Sequence, residues 1–344
     1  MALVLNGSGI TSANIADGTI TTDDILASDV KNLKSGRKNL IINGGFDVWQ
    51  RGTTGTDPSN GYGTYLSADR WASYYGGTIL SQQAVTIDGL PVYAMRITAG
   101  TSGNIYAYQK VERGSSIVSG KPITYSFWAR ANVARSQGMS GRFYDSGTQG
   151  TALNLSLSSL DITTSWQKFT QTVTLTDTAL NNSRDFFINF QGTFASADWL
   201  EVANFQLELG SVATDFEHRS YGEELALCQR YYERLSYAAS TDYGGGSAAE
   251  LLFSNGFGYT SVRSLNNYKY QQVKRTPPTV AVSSASHIEV LDSTTGWVAA
   301  SGFDSRSNIY STRLDLTHSG GLTAGRALEL RLLSGGYISI DAEL

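Results

Sequence analysis

The sequence predicts an all-β protein: a jelly-roll β-sandwich, then a short helical connector, then a β-rich C-terminal tip. Three observations support this fold class. Short runs that alternate apolar and polar residues recur through most of the 344 residues. Clusters of Gly, Asn, Asp and Ser separate these runs at short intervals, as they do in sandwiches and jelly rolls. A single stretch rich in helix formers and free of proline divides two strand-rich parts.

The strands of the sandwich are predicted within residues 38–218. An apolar run closed by a turn, Asn39–Phe46, opens this part. In residues 124–130 the alternation places Tyr125 and Phe127 on one face of a strand. Further strands are predicted at residues 169–175, 186–190 and 200–209, and three tryptophans are assigned to the core between the sheets: Trp71, Trp128 and Trp166.

Residues 1–37 differ from the rest because isoleucines recur every five residues and aromatic residues are absent. This period suits neither an isolated helix nor a two-sided strand, and one chain could not bury these side chains alone. Three chains wound about one axis could, so the pattern favours a homotrimer; an unstructured tail is the alternative. A short helix is predicted at residues 24–33, with Thr22 or Asp23 as its N-cap. The isoleucines are Ile10, Ile15, Ile20 and Ile25.

Residues 219–236 are predicted to form the helical connector. Good helix formers fill residues 221–235, and an apolar stripe runs along one face at helical spacing. The stripe comprises Leu225, Cys228, Tyr231, Tyr232 and Leu235.

Residues 237–344 return to strands and form the predicted tip. A strand follows Pro277 and Pro278 at residues 279–282, and residues 287–290 and 296–300 are predicted to form a hairpin. The closing residues, 337–340, are predicted to be a strand held within a sheet.

Charge and composition exclude several classes of function. The formal net charge is −4 and no basic run occurs, so the sequence predicts no nucleic-acid partner and no anionic membrane partner. No apolar stretch approaches a membrane span, and the first residues lack the pattern of a secretory signal. The single cysteine, Cys228, permits no intrachain disulfide. Only 16% of residues are charged, which indicates a surface that is partly neutral or buried between subunits.

The sequence predicts no catalytic residues. The histidines His218, His287 and His318 are scattered, without metal-ligand spacing, and the nucleophile-elbow and phosphate-loop motifs are absent. A glycan-degrading enzyme would need two neighbouring carboxylates. The candidates for such a pair are Asp69, Asp145, Asp185 and Asp198, each more simply read as a turn residue.

Binding of sugars is better supported, because aromatic faces pack on the C–H faces of pyranose rings while amides and hydroxyls bind their edges. The candidate ligand-binding residues are Tyr62, Tyr65, Tyr74, Tyr75, Tyr106, Tyr108 and Trp199. A second set of aromatic residues lies in the tip: Tyr243, Phe257, Tyr259, Trp297, Phe303 and Tyr310.

About two thirds of the chain resembles bacteriophage tail-fibre proteins. Asn14–Ile25 is similar to their opening, and Asn39–Gly52 with Ala68–Trp71 resembles a sandwich domain of phage tail proteins and the first strand of carbohydrate-binding-module jelly rolls. The most specific phrase, Gln206–Glu217 followed by Cys228–Glu233, resembles the sandwich-to-tip junction of these fibres.

This resemblance implies an elongated, trimeric tail fibre or spike of a virion, made in the host cytoplasm. Residues 1–37 would attach it to another tail or baseplate protein, and the remainder would adhere to a host-surface glycan or protein receptor. Two alternatives stay open: a glycan-degrading tail enzyme, and a purely structural component that connects or decorates the virion.

No cofactor is predicted. Jelly rolls of the carbohydrate-binding type often hold a structural calcium with acidic residues of the first and last strands. At the late-strand position this chain carries Ala203 and Asn204 instead, although Asp47 and backbone carbonyls could contribute oxygens.

Overall fold

The computed structural model describes residues 38–58, 64–74, 76–100, 104–113, 117–144, 155–174, 185–237 and 250–343. This part is mostly β, as the sequence predicts, and contains twenty-one strands and one nine-residue α-helix. The isoleucine repeat of residues 1–37, the helix predicted at residues 24–33 and the candidates Tyr62, Tyr75, Asp145 and Tyr243 lie outside the described residues. No described helix combines the length and the apolar character needed to span a bilayer.

Two six-stranded sheets form the sandwich. Its strands are β1 (Thr54–Thr56), β2 (Thr64–Tyr65), β3 (Ala72–Ser73), β4 (Ile79–Ile87), β5 (Leu90–Thr98), β6 (Asn104–Val111), β7 (Pro122–Ala131), β8 (Arg135–Tyr144), β9 (Leu155–Ile162), β10 (Gln167–Thr174), β11 (Asp185–Thr193) and β12 (Trp199–Leu209). The first sheet has the order β1-β4-β5-β12-β7-β10, and the second has the order β2-β3-β6-β11-β8-β9. Successive strands cross repeatedly between the two sheets, a jelly-roll-like arrangement.

Aromatic side chains from both sheets meet in the core. Phe127 lies with its ring centroid 5.3 Å from that of Phe190 and 5.4 Å from that of Phe205. Trp71 packs edge-on against Phe205 at 5.6 Å, and all four rings are fully buried. The predicted inward face of Tyr125 and Phe127 is therefore confirmed, as is the core position of Trp71. Burial of one such side chain contributes roughly 1.5–3 kcal/mol.

The predicted core position of Trp128 and Trp166 is wrong. Trp128 lies between the inward-facing Phe127 and Ala129, and the period of two in a strand therefore turns it to the opposite face. Trp128 and Trp166 pack outside the first sheet on Ala94 and Ala203.

The segment that opens the sandwich is not a strand. Asn43 and Phe46 have φ values of 58° and 56°, which break the extended conformation. The segment instead binds the edge of a bulge in β12. Leu40 donates its backbone N–H to the Leu207 carbonyl at 2.8 Å, and Phe205 donates to the Gly44 carbonyl at 2.8 Å. A side chain at Gly44 would collide with the Phe205 carbonyl, so glycine is required there.

The helix α1 (Tyr221–Gln229) is shorter than predicted. It starts with a capping box, in which Ser220 and Glu223 bond reciprocally, and it ends at Gln229. The next residues form β13 (Tyr232–Ser236), which pairs with the strand Tyr337–Asp341 near the end of the chain. Pairing across this long sequence separation, with burial of Tyr231 and Tyr232, overrides the local helix preference.

The tip consists of a barrel and a small sheet. Its strands are β14 (Glu250–Thr260), β15 (Arg263–Lys269), β16 (Thr279–Val282), β17 (Ile288–Asp292), β18 (Gly296–Ser307), β19 (Ser311–His318), β20 (Ala327–Leu332) and β21 (Tyr337–Asp341). A closed barrel has the order β14-β15-β19-β18-β17-β20, and a three-stranded sheet has the order β13-β21-β16. The predicted hairpin is confirmed by the pairing of β17 with β18. The predicted closing strand is confirmed as the central strand of the small sheet.

Buried charges connect the sandwich to the tip, and we refer to Arg51, Asp69, Arg70, Asp341 and Glu343 as the charge junction. Arg70 pairs with Glu343 and donates from Nη2 to the Lys110 carbonyl at 2.9 Å. Arg51 lies 3.2 Å from Asp341, 3.5 Å from Glu343 and 3.9 Å from Asp69. Ion pairs between residues so distant in sequence fix the C-terminal strand of the tip on the sandwich.

Candidate functional site

Four of the candidate tyrosines form one cluster on the outer face of the second sheet. The ring centroids of Tyr106 and Tyr108 are 5.5 Å apart, and those of Tyr74 and Tyr106 are 5.8 Å apart. Tyr65 packs on the same cluster, and the Arg51 guanidinium lies 5.5 Å from its ring. Tyr108 has 0% exposure and Tyr106 has 3%, so these two rings offer no face to a ligand. The cluster packs beside the charge junction.

Trp199 lies elsewhere, on the outer face of the first sheet. It is the first residue of β12, and the guanidinium carbon of Arg96 lies 4.4 Å from its ring centroid. The guanidinium carbon of Arg130 lies 5.8 Å from the same ring. Trp199 is half-buried, and its indole is thus held between two cations at the surface.

The buried carboxylate of Glu201 holds both Arg96 and Arg130 in place. Glu201 is fully buried on β12, directly opposite Arg96 of β5 and Arg130 of β7 in the strand register. Its Oε1 accepts from Arg96 Nε at 2.9 Å, and its Oε2 accepts from Arg130 Nε at 2.7 Å. Two guanidinium groups share one carboxylate, so the group carries one net positive charge. The arginine side chains remain 30% and 31% exposed.

The two outward tryptophans extend this surface. Arg130 lies 4.9 Å from the ring centroid of Trp166, and Trp128 lies beside it on the apolar cluster that contains Ala94 and Ala203. Both indoles are half-buried. Arg96, Trp128, Arg130, Trp166 and Trp199 together make the surface that we call the tryptophan face.

A bulge in β12 determines which of its residues face the core and which face the outward tryptophans. Ala203 pairs with Trp128 and Gln206 pairs with Ser126, so two residues, Asn204 and Phe205, oppose Phe127. Asn204 takes a φ of 48° to accommodate the extra residue. The bulge sends Phe205 into the core while Ala203 stays under the outward tryptophans.

A groove of about 380 Å³ continues the tryptophan face at one end. Val85 and Val92 belong both to this groove and to the apolar cluster beneath Trp128. Burial raises the pKa of the Asp47 carboxyl in the groove, as does neighbouring Glu224, while His218 acts in the opposite direction. The groove is lined by Asp47, Ala84, Val85, Thr86, Pro91, Val92 and Tyr93.

Two carboxylates of the enzyme hypothesis, Asp69 and Asp198, are engaged in structural contacts. Asp69 is fully buried and accepts the Gln50 backbone N–H at 3.0 Å. Asp198 accepts from Arg135 at 2.8 Å and from Asn132 at 2.8 Å, and these bonds hold the pKa of its carboxyl below the ordinary value. Asp185 begins β11.

The described residues provide no group of three His, Cys, Asp or Glu side chains that could hold a metal ion. Calcium takes six to eight oxygen ligands, and the two neighbouring carboxylates Asp47 and Glu224 supply too few of them for a calcium site of the jelly-roll type among the described residues. Cys228 is buried, and burial raises the pKa of its thiol well above the ordinary value.

The aromatic residues of the tip occupy several positions. Phe257, Tyr259 and Tyr310 are 41%, 56% and 60% exposed. Trp297 stacks with Arg331, whose guanidinium carbon lies 3.7 Å from the ring, and Phe303 is half-buried against the barrel core.

The tryptophan face could be predicted only in part from the sequence. Trp199 was a candidate, whereas Arg96, Arg130 and Glu201 were missed because they lie on three strands that are separate in sequence. For Trp128, the alternation with Phe127 was a sufficient signal that it faces outward.

Comparison with known proteins gives weak likenesses. No family model matches the chain, and no curated protein matches it. Half of the chain is similar to the enzymatically active domain of bacteriophage CBA120 tailspike protein 4, with 15% identity and a TM-score of 0.34, and spans 21% of that chain. A CBM4 structure shares 20% identity over 49% of this chain and 98% of its own, with a TM-score of 0.32. The CBM22-1 xylan-binding domain from Paenibacillus barcinonensis Xyn10C shares 10% identity over 52% of this chain and 100% of its own, also with a TM-score of 0.32. TM-scores at this level do not support a shared function.

Proposed function

We propose that the protein is a glycan-binding adhesion protein and that the tryptophan face is its binding surface. The observation that carries this proposal is the convergence of Trp128, Trp166 and Trp199 on the outer face of one sheet, beside two partly exposed arginines.

The chemistry of the face suits a sugar ring. Indole faces pack on the apolar C–H face of a pyranose, and guanidinium N–H groups donate to its hydroxyls. Glu201 fixes both arginines before a ligand arrives, which reduces the entropy lost on binding. The adjoining groove along Val85 and Val92 gives room for a chain longer than one sugar.

The test is binding of the full-length protein to a panel of purified neutral polysaccharides, first by affinity gel electrophoresis and then by calorimetry. Trp166→Ala and Trp199→Ala are expected to weaken binding of a retained polysaccharide about tenfold each, or about 1.4 kcal/mol. Tyr221→Ala is the matched control, since this aromatic side chain is 59% exposed on α1 and belongs neither to the tryptophan face nor to the lining of the groove. Equal binding by all three variants and the wild type would contradict the proposal.

We extend the proposal to a virion. On the resemblance of the sequence to phage tail fibres, the protein is an elongated homotrimer of a phage tail, made in the host cytoplasm and attached to another tail or baseplate protein through residues 1–37. Three copies of a weak sugar site then act together and raise avidity. A host-surface glycan is the proposed receptor.

The oligomer is tested by light scattering on the full-length chain and on a chain that lacks residues 1–37. Both are expected to have three times the mass of one chain. A monomeric mass for both proteins would contradict the trimer. A trimeric mass for the full-length chain alone would assign trimerisation to residues 1–37.

Binding without catalysis is part of the same proposal. Asp69 is buried against Arg51, and Asp198 is paired with Arg135, which leaves these two carboxylates unsuited to acid–base work on a glycan. Release of reducing ends from a bound polysaccharide would favour the glycan-degrading alternative. Absence of any glycan binding would favour the purely structural alternative.

A further inference from the structure

A second polar and aromatic surface lies on the outer wall of the tip barrel, where β14, β15, β19 and β18 are neighbours. At its centre is Asp315, which is 4% exposed although it faces outward with Leu265 and Asp304 in the strand register. Its Oδ2 accepts from Arg263 Nη2 at 2.7 Å, and its Oδ1 accepts from Arg313 Nε at 2.7 Å. Arg306 lies at 3.9 Å.

Three arginines thus converge on one carboxylate, which compensates only part of their charge. Their side chains remain accessible: Arg263 is 41% exposed, Arg306 is 69% exposed and Arg313 is 35% exposed. Even with the exposed Asp304 nearby, the three guanidinium groups exceed the two carboxylates by one charge. A chain with a formal net charge of −4 therefore presents a cationic surface here.

Apolar and aromatic side chains border the arginines on one side. Tyr259 is 56% exposed and its ring centroid lies 5.7 Å from the Arg263 guanidinium. Phe257 is 41% exposed and lies directly opposite Leu265. Aromatic rings beside fixed guanidinium groups match a pyranose that carries a carboxylate: the ring packs on the aromatic face and the carboxylate accepts paired N–H groups.

We propose that this barrel wall, made of Tyr259, Arg263, Arg306 and Arg313, is a binding site for acidic oligosaccharides that carry uronate carboxylates. Arg313 and Arg306 are direct partners on neighbouring strands, and neighbouring strands lie about 4.8 Å apart. Both guanidinium groups lie near the Asp315 carboxylate, Arg306 at 3.9 Å and Arg313 at 2.7 Å, so both can donate to one ligand carboxylate. The site is separate from the tryptophan face and does not depend on its function.

The test uses an oligogalacturonide as the probe and its methyl ester as the uncharged match, with calorimetry on the full-length protein. The wild type is expected to bind the acid form, with an affinity that falls as salt is added, and to bind the ester at least tenfold more weakly. The double variant R263Q/R306Q is expected to weaken binding of the acid form about tenfold. Arg306→Gln alone, at the most exposed of the three positions, is expected to give a smaller loss in the same direction.

Arg331→Gln is the matched control. Arg331 also pairs with a carboxylate, Glu289, and stacks on an aromatic ring, Trp297, but lies on β20, which carries no residue of the proposed site and is three strands from β19 in the closed barrel. The R331Q variant is expected to bind the acid form with the same affinity as the wild type. Trp199→Ala is likewise expected to leave this binding unchanged, which separates the barrel site from the tryptophan face. Failure of the wild type to bind, equal binding of acid and ester, or loss in R331Q as large as in R263Q/R306Q would overturn the proposal.

Discussion

At the scale of single residues, Asn39 illustrates how one buried side chain completes an irregular backbone. Its Oδ1 accepts the N–H groups of Ile41 and Leu207 at 3.0 Å each, and its Nδ2 donates to the Phe205 carbonyl at 3.0 Å. These bonds satisfy the backbone groups that the bulge of β12 and the opening segment leave without strand partners.

Replacement of Asn39 by alanine is expected to lower the free energy of unfolding by about 2–4 kcal/mol, because buried backbone groups lose their partners. Urea denaturation measures this difference. Asn267→Ala, at an exposed position of β15, serves as the control and is expected to change stability by less than about 0.5 kcal/mol. Similar losses in the two variants would show that the Asn39 bonds are not needed.

Asp69 gives a prediction for the dependence on pH. Burial raises the pKa of its carboxyl to about 7, and Glu343 adds to this, while Arg51 and the bonds from Gln50 act in the opposite direction. In the unfolded chain the same carboxyl titrates near 3.8. Between these two values the folded protein holds the proton that the unfolded chain has lost, and stability therefore falls as the pH rises.

The urea midpoint of the wild type is accordingly expected to fall more between pH 5 and pH 8 than that of Asp69→Asn, which cannot titrate. The difference between the two proteins isolates Asp69 from every other titrating group. Parallel pH profiles would show that the Asp69 pKa is not raised in the folded state.

At the scale of elements, the first turn of α1 is stabilised by a capping box and also contacts the sandwich. Ser220 accepts the Glu223 backbone N–H at 3.3 Å, and Glu223 accepts the Ser220 N–H at 3.0 Å. In the same first turn the buried Glu224 accepts from Asn43 of the opening segment. The start of the helix is thereby tied to the sandwich.

Ser220→Ala is expected to lower the free energy of unfolding by about 1 kcal/mol, since one N-terminal N–H group loses its acceptor. Ser220→Asp retains an acceptor and is expected to restore most of that loss. Thermal unfolding of the three proteins measures the effect, and equal stability of the alanine and aspartate variants would refute it.

The elements also show how far the sequence predicts the fold. Strands with clean alternation were predicted, among them the β17–β18 hairpin and the closing strand β21. The end of α1 was not, because Tyr232–Ser236 has helical spacing but pairs with a strand about one hundred residues later. The opening segment, which resembles a first strand in sequence, departs from a strand at Asn43 and Phe46, where φ is positive, and its backbone partners in β12 lie far along the chain.

At the scale of the whole molecule, the buried ion pairs of the charge junction join the sandwich to the tip. Arg70 is 1% exposed and Glu343 is 4% exposed at the side chain. Removal of one partner of a buried ion pair leaves an uncompensated charge, which typically costs about 3–5 kcal/mol. The junction was not predicted because its members come from opposite ends of the described chain.

Glu343→Gln is therefore expected to lower the free energy of unfolding by several kcal/mol and to split one calorimetric transition into two. Glu112→Gln is the control, because Glu112 pairs with Arg230 at the surface, where their side chains are 29% and 41% exposed. This substitution is expected to lower the free energy of unfolding by less than about 1 kcal/mol. A single transition of unchanged midpoint in Glu343→Gln would mean that other contacts couple the two parts.

The Arg70–Glu343 pair also has a consequence for synthesis on the ribosome. The two residues are 273 positions apart, so a sandwich that folds as it emerges presents Arg70 and the rings beside it long before their partner is translated. When β21 is made it closes the small sheet, and Asp341 and Glu343 then pair with Arg51 and Arg70. A nascent chain stalled before β21 is thus expected to expose a cationic, aromatic patch for as long as translation is paused. Chaperones are expected to bind the nascent chain mainly during this pause.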